Sequence, residues 1–277
     1  MNFLILPNST KNSSISAINI IIDTLNSYGA NCILDEEYKN SGIVNCEFYP
    51  FEKAIKISEI AITIGGDGTI LHYAPYFFDK KLPIIGINLG RLGFLAEIEY
   101  DDLHKLEKLV KKEYTICKQR LLKVKTNNTT YYTLNEMVLH TSRAIKNVQL
   151  EISCDNCVVN TYRGDGVIVA TTNGSTAYSL SAGGPIVDSD INCMIVTPIC
   201  PHSLNAPPII FSEDRKISVS FKDLNDINIE LMIDGSYKFS FYQNDKIDIS
   251  LSKRTFSFVR LNSTHQFEAV DQKLKRR

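Results

Sequence analysis

The chain has 277 residues, 44% hydrophobic and 22% charged, with a formal net charge of −1. That length holds one large or two modest domains with material for a real core, and the near-neutral balance supplies no global field toward nucleic acid or anionic membrane. No segment approaches the roughly 20 apolar residues of a bilayer span, and Met1 to Pro7 (MNFLILP) carries no basic leader, so a soluble, cytoplasmic protein is expected.

From the N-terminus, strand and helix signals alternate. Phe3 to Leu6 reads as a strand, and Ile15 to Tyr28 as a helix ending at Gly29. Cys32 to Leu34, Ile60 to Ile64 and Pro83 to Leu89 read as further strands. This is the rhythm of a Rossmann-like parallel α/β sheet with binding loops at strand ends. Asp101 and Asp102 are placed to cap a helix through Lys112, with Leu103, Leu106, Leu109 and Val110 inward.

After Glu113 the pattern changes to short apolar runs separated by turn residues. They are Leu121 to Val124, Tyr131 to Leu134, Val148 to Ile152, Gly166 to Ala170, Cys193 to Val196, Lys216 to Phe221, Ile227 to Ile233, Lys246 to Ser250 and Phe256 to Leu261. Such spacing predicts a mainly β, sandwich-like domain. The expected division is an α/β domain over 1–100, a β-rich domain over 101–262 and a helical tail over 263–277. The basic tail end (Lys273, Lys275, Arg276, Arg277) suits a solvated helix terminus.

Seven cysteines, an odd number without a secretion signal, argue against a disulfide framework. Cys154 and Cys157 are the one close pair. Without a second pair or nearby histidine to complete a tetrahedral site, they are expected to lie in a strand–turn–strand without a metal or redox role.

The most informative stretch follows the Ile60 to Ile64 run: Gly65, Gly66, Asp67, Gly68 and Thr69. Three glycines remove the Cβ atoms that would keep a phosphate from the backbone. Asp67 stands where a phosphate would repel it, which suits a base or metal-linked group better than an anion binder. A tight turn is the plainer account of the same residues. Neither Gly-x-x-x-x-Gly-Lys-Ser/Thr nor Gly-x-Gly-x-x-Gly occurs after any strand candidate, so the commoner nucleotide loops are absent. A second glycine loop, Gly86 to Leu95, follows the next strand. Residues 164–184 (GDGVIVATTNGSTAYSLSAGG) place an aspartate before a strand and a Gly174-Ser175-Thr176 turn after it, suited to sugar or phosphate oxygens or to an ordinary N-cap.

Together these segments resemble the NAD kinase family. Gly65 to Thr69 is similar to its Gly-Gly-Asp-Gly-Thr signature, a pentapeptide shared with diacylglycerol and sphingosine kinases. Gly86 to Leu95, Asn135-Glu136, Asp165 to Val187, Thr197 to Leu204 and Asp234-Gly235 resemble further family segments in the same order. The likeness covers roughly residues 60–240, and the central glycine-rich motif is the specific one. Two departures stand out. Thr171-Thr172-Asn173 replaces the usual Thr-Pro-Thr, freeing one backbone φ, and Pro207-Pro208 stands where the family carries Arg before Pro.

The resemblance implies transfer of the γ-phosphate of ATP to the 2′-hydroxyl of the adenosine ribose of NAD, giving NADP, with Asp67 as general base. It implies phosphate binding by Gly65, Gly66, Gly68 and Thr69, with Mg²⁺ or another divalent metal on the ATP and protein metal ligands left unassigned. It implies NAD binding by Asp67, Gly68, Asn135, Glu136, Asp165, Thr176, Ala177, Tyr178, Ser179 and Ser181, with Glu136 accepting ribose hydroxyls. His72, Lys146 and Arg163 are weaker candidates. A homodimer or homotetramer is implied as well. The competing readings are a lipid kinase, which the hydroxyl-rich 164–181 stretch disfavours, and a non-catalytic NAD(H)-sensing module, which would have no need of a base.

Overall fold

The computed structural model describes residues 1–8, 15–90, 93–127, 129–141, 148–203, 205–222, 228–241, 245–262 and 265–275. It divides into two compact units, Met1–Lys118 with Phe256–Arg277, and Gln119–Thr255. The expected boundary near residue 100 and the separate tail from 263 do not coincide with this division. The chain changes unit within one long strand near residue 118 and returns within another near 256.

The first unit contains β1 (Asn2–Pro7), α1 (Ile15–Ser27), β2 (Asn31–Asp35), β3 (Glu47–Tyr49), α2 (Phe51–Ile57), β4 (Ile60–Ile64), α3 (Asp67–Tyr73), β5 (Ile84–Asn88), β6 (Ile98–Glu99) and α4 (Leu106–Val110). Its strands run parallel in the order β5-β4-β1-β2-β3. β4 and β5 are buried at every position, which is why both read as continuous apolar runs without alternation. α1 lays Ile18, Ile21, Ile22 and Leu25 against Phe3, Ile5, Ile60 and Ile62, the stripe expected of a helix covering a sheet. Gly29 ends it at φ 83, a left-handed stop for which glycine is favoured. The helix expected from Asp101 is broken: a 3₁₀ segment, Tyr100–Lys105, precedes α4. Leu106 and Leu109 are fully buried as anticipated.

Next come β7 (Thr115–Lys125), β8 (Thr130–Thr133), β9 (Glu136–Thr141), β10 (Val148–Cys154), β11 (Cys157–Gly164), β12 (Gly166–Thr171), α5 (Tyr178–Ser181), β13 (Cys193–Ile199), β14 (Ile209–Ser212), β15 (Ile217–Lys222), β16 (Ile229–Ile233), β17 (Ser236–Phe241), β18 (Lys246–Arg260) and α6 (His265–Lys275). In the second unit, β14-β13-β12-β9-β16-β17 form one antiparallel sheet, and β11-β10-β15 with the start of β18 lie in the other. Leu122, Leu150, Ile152, Val219 and Ile247 meet Met137, Leu139, Val167, Val169, Val196 and Leu231 in one core. This is the sandwich the turn spacing predicts. The opposite face of β9, β12 and β13 is also covered, by Val187 and Ala182 packed with Val138, Ile168 and Ile195. β12 is therefore buried along its whole length.

Among the described residues no helix is long and apolar enough to cross a membrane. Leu231 is fully buried and Ile20 is 48% exposed on α1. Leu231→Ala is expected to cost about 2–5 kcal/mol and Ile20→Ala less than about 0.5 kcal/mol, as read from urea denaturation.

Candidate functional site

The strand–loop–helix of residues 60–73 forms as the glycines dictate. β4 ends at Ile64, Gly65 turns the chain at φ 151, and Gly66 caps α3. The Thr69 hydroxyl packs against Gly65 and is buried without a hydrogen-bond partner. His72 lies on the exposed side of α3 with its ring edge-on to Tyr73, centroids 5.0 Å apart.

Asp67 is tied to the second glycine loop. Its Oδ2 accepts from the Phe94 amide at 2.7 Å, and its Oδ1 accepts from Leu95 at 3.1 Å and Ala96 at 3.3 Å. Each oxygen of an ionised carboxyl has two lone pairs, so Oδ2 retains one. The contact requires Gly93, because a Cβ there would overlap Asp67 Oδ1. The loop is anchored from behind by Arg260, which donates to Leu95 O at 3.3 Å and to Glu97 Oε2 at 2.9 Å. Glu97 Oε1 takes the Leu261 amide at 2.8 Å.

In the second unit, Asn135 and Glu136 sit where the hairpin from β8 enters β9. Asp234, at the turn after β16, gathers that bend. Its carboxylate accepts from the Leu134 amide at 2.8 Å, Asn135 at 2.8 Å, Glu136 at 3.2 Å and the Thr133 hydroxyl. Against the same bend lies the turn after β12. Asn173 Nδ2 donates to Asn135 Oδ1 at 2.6 Å, and Thr171 Oγ1 donates to Leu134 O at 2.6 Å. Gly174 permits this approach, since a Cβ would overlap Asn135 O. Asn173, one of the residues that depart from the usual Thr-Pro-Thr, is thus a side-chain partner of Asn135. Sequence reading passed over both Asp234 as a clamp and Asn173 as a contact.

The remaining candidates divide between the ends of β12. Thr176 is buried at the far end, Ala177 follows it, and Tyr178 is 46% exposed beside them. Ser181 is exposed, whereas the Ser179 hydroxyl is buried against Thr197 Oγ1 at 2.9 Å. Asp165 and exposed Arg163 precede β12, where Arg163 O accepts the His202 amide at 2.8 Å. Six strand residues separate the two groups, roughly 20 Å at strand rise, so one chain does not bring Asp165 and Arg163 to Asn135 and Thr176. Lys146 lies outside the described residues.

Burial, and then the adjacent Asp234 carboxylate, push the Glu136 carboxyl up to about 8. Burial raises Asp234 too, opposed by the hydroxyl and three amides that it accepts. Among the described residues Glu136 has no such donors, and its Oε2 is buried without a partner. The unfolded chain releases this proton near the ordinary carboxyl value, so stability falls as pH rises from there to about 8. Glu136→Gln is expected to gain melting temperature on the wild type across that window, read by thermal melts at stepped pH. Gly93→Ala is expected to lose about 1–3 kcal/mol through overlap with Asp67, read by urea denaturation.

The ATP-NAD kinase N-terminal domain matches residues 29–114, and the ATP-NAD kinase C-terminal domain matches residues 134–261. An NAD kinase of Methanothermobacter thermautotrophicus is 42% identical over 206 residues, covering 74% of this chain and 72% of that protein. One from Caldicellulosiruptor bescii is 32% identical over 272 residues, 98% of each. Yeast NADH kinase complexed with NADH shares the fold, with a TM-score of 0.86 at 24% identity over 99% of this chain and 87% of that one. An NAD kinase from Archaeoglobus fulgidus in complex with ATP gives a TM-score of 0.74 at 26% identity over 98% and 99%. With both domains matched and the motifs in order, the chain belongs to the ATP-NAD kinase family and is an enzyme that phosphorylates NAD at the expense of ATP.

Proposed function

We propose that Asp67 is the general base of this reaction, taking the proton of the 2′-hydroxyl of the adenosine ribose as that oxygen attacks the γ-phosphorus of ATP. The oxygen–phosphorus bond forms as the bond to the β-phosphate oxygen breaks, leaving ADP and NADP. The observation that carries the assignment is the Asp67 carboxylate itself. Three amides of the 93–96 loop fix its orientation, while Oδ2 keeps a lone pair for a hydroxyl. Phosphoryl transfer needs positioning and charge stabilisation more than covalent chemistry, and this carboxylate is held still before substrate arrives.

Gly65, Gly66, Gly68 and the unpartnered Thr69 hydroxyl are assigned to the ATP phosphates. The buried Thr69 Oγ1 without a partner is the kind of orphan that a phosphate oxygen would satisfy. Asn135, Glu136, Thr176, Ala177 and Tyr178 are assigned to the dinucleotide, because the bend and turn that carry them are bonded together. Ser179 supports the site through Thr197.

Among the described residues no group of three or more His, Cys, Asp or Glu side chains is placed to hold a metal ion. A divalent ion, Mg²⁺ by family resemblance, would accompany the ATP and supply neutralisation of phosphate charge when bound. The separation of Arg163 and Asp165 from the Asn135 bend supports a homodimer or homotetramer in which a second copy completes the dinucleotide site. We assign the enzyme to the cytoplasm.

The test is purified protein with NAD, ATP and Mg²⁺, with NADP detected by an NADP-specific dehydrogenase. Asp67→Asn is expected to lower kcat by about 10²–10⁴-fold with the fold intact by circular dichroism. Near-wild-type turnover in that variant would remove Asp67 from the role of base.

A further inference from the structure

We propose that Glu136 and Asp234 form an unequal acid pair in the dinucleotide site: Asp234 is the ionised clamp that shapes the Leu134–Glu136 bend, and Glu136 enters the reaction protonated, donating its O–H to an acceptor atom of the bound dinucleotide. The inference rests on the assignment of this bend to NAD and changes what Glu136 does there.

The two carboxyls have opposite surroundings. Asp234 accepts three consecutive main-chain amides and the Thr133 hydroxyl. Such a donor set favours a carboxylate, because each bond is charge-assisted only when the acid is ionised. Glu136 is 7% exposed, and its Oε2 is buried with no partner among the described residues. A carboxylate left so would be desolvated without compensation. The groups packed around it make ionisation harder. Across the sheet on β12 stands Ala170, which is apolar. From the end of β16 comes Asp234, whose amide donates to the Glu136 carbonyl and whose carboxyl accepts the Glu136 amide. Among the described residues, the charged group acting on Glu136 is Asp234, of the same sign. Two carboxyls in one site whose environments differ in this way divide their roles, one ionised and one neutral.

Burial and the Asp234 charge push the Glu136 carboxyl up to about 8, and burial raises Asp234 as well; the hydroxyl and three amides on Asp234, which favour its ionised form, are what divide the pair. The chemical consequence is specific. A carboxylate only accepts hydrogen bonds, whereas a carboxylic acid donates one and still accepts. Ribose oxygens and purine ring nitrogens are acceptors, so a neutral Glu136 serves them directly. Above the transition the donor is lost and a second negative charge appears beside Asp234.

The experiment measures KM for NAD and kcat between about pH 6.5 and about pH 9.5 for wild type, Glu136→Gln and Asp234→Asn. Infrared spectra of each ligand-free protein are recorded in parallel for the carbonyl band of a protonated carboxyl. Glutamine keeps a donor and an acceptor and cannot ionise. Glu136→Gln is therefore expected to give a KM that does not change with pH, while wild-type KM climbs toward about tenfold per pH unit above the transition. The protonated-carboxyl band is expected in wild type at neutral pH and absent from Glu136→Gln. In Asp234→Asn, KM is expected to be raised at every pH more than kcat is lowered. The transition should also move to lower pH, because the neighbouring charge is gone. A wild-type KM flat to the alkaline end, no protonated-carboxyl band at neutral pH, or a Glu136→Gln KM that climbs with pH as the wild type's does would each overturn the proposal. Absence of NADP from all three proteins would instead overturn the assignment of the site to NAD, and the infrared band would still decide the state of Glu136.

Discussion

Carboxylates that collect runs of consecutive main-chain amides are the device on which both motif regions depend. Asp67 takes Phe94, Leu95 and Ala96, and Asp234 takes Leu134, Asn135 and Glu136. Hydrogen bonds to an ionised group contribute about 1.5–3 kcal/mol each, against about 1 kcal/mol for neutral pairs. Three on one side chain fix a bend that would otherwise be conformationally free. Order in these loops comes from a point charge and not from strand pairing.

This device imposes its own sequence requirements. Gly93 is dictated by the space Asp67 fills, and Gly174 by the carbonyl of Asn135. Arg260 and Glu97, near-buried and paired, hold the 93–96 loop from the side away from Asp67. Removing one partner of such a pair leaves an uncompensated charge in the interior, so loop geometry is coupled to the strand that closes the first unit. In the second unit β12 plays the corresponding part. Being buried on both faces, it is rigid, and it fixes the 173–178 turn at one end and Asp165 at the other.

Much of the framework was legible from residue pattern. β1, α1, β2, β4 and β5 emerged because buried parallel strands and one amphipathic helix leave strong periodic signals. Other elements did not. α2 is a seven-residue helix with only Ala54 and Ile55 buried, too short to show a stripe. β11 turns Val158 and Val159 to solvent, inverting the alternation that marks a half-buried strand. β9 begins at Glu136 itself, and the strand expectations pass from Tyr131 to Leu134 straight to Val148 to Ile152 without it. Lys246 to Ser250 and Phe256 to Leu261 read as two separate runs, yet β18 continues through both, and it is paired on either side of the join. Cys154 and Cys157 face each other across the β10–β11 turn, as the strand–turn–strand expectation had them.

By itself the sequence determined the fold class, the family and the two glycine-bracketed loops, since those follow from local composition and from motifs that lie contiguous in the chain. Only the tertiary structure decided which carboxyl touches which amides, that Asn173 completes Asn135, that Ser179 faces Thr197 instead of solvent, and that Asp165 and Thr176 lie at opposite ends of one strand. The physical reason is distance along the chain. Asp234 acts on residues about a hundred positions earlier, and a hydrogen bond formed across that separation depends on sheet register, which no local pattern records.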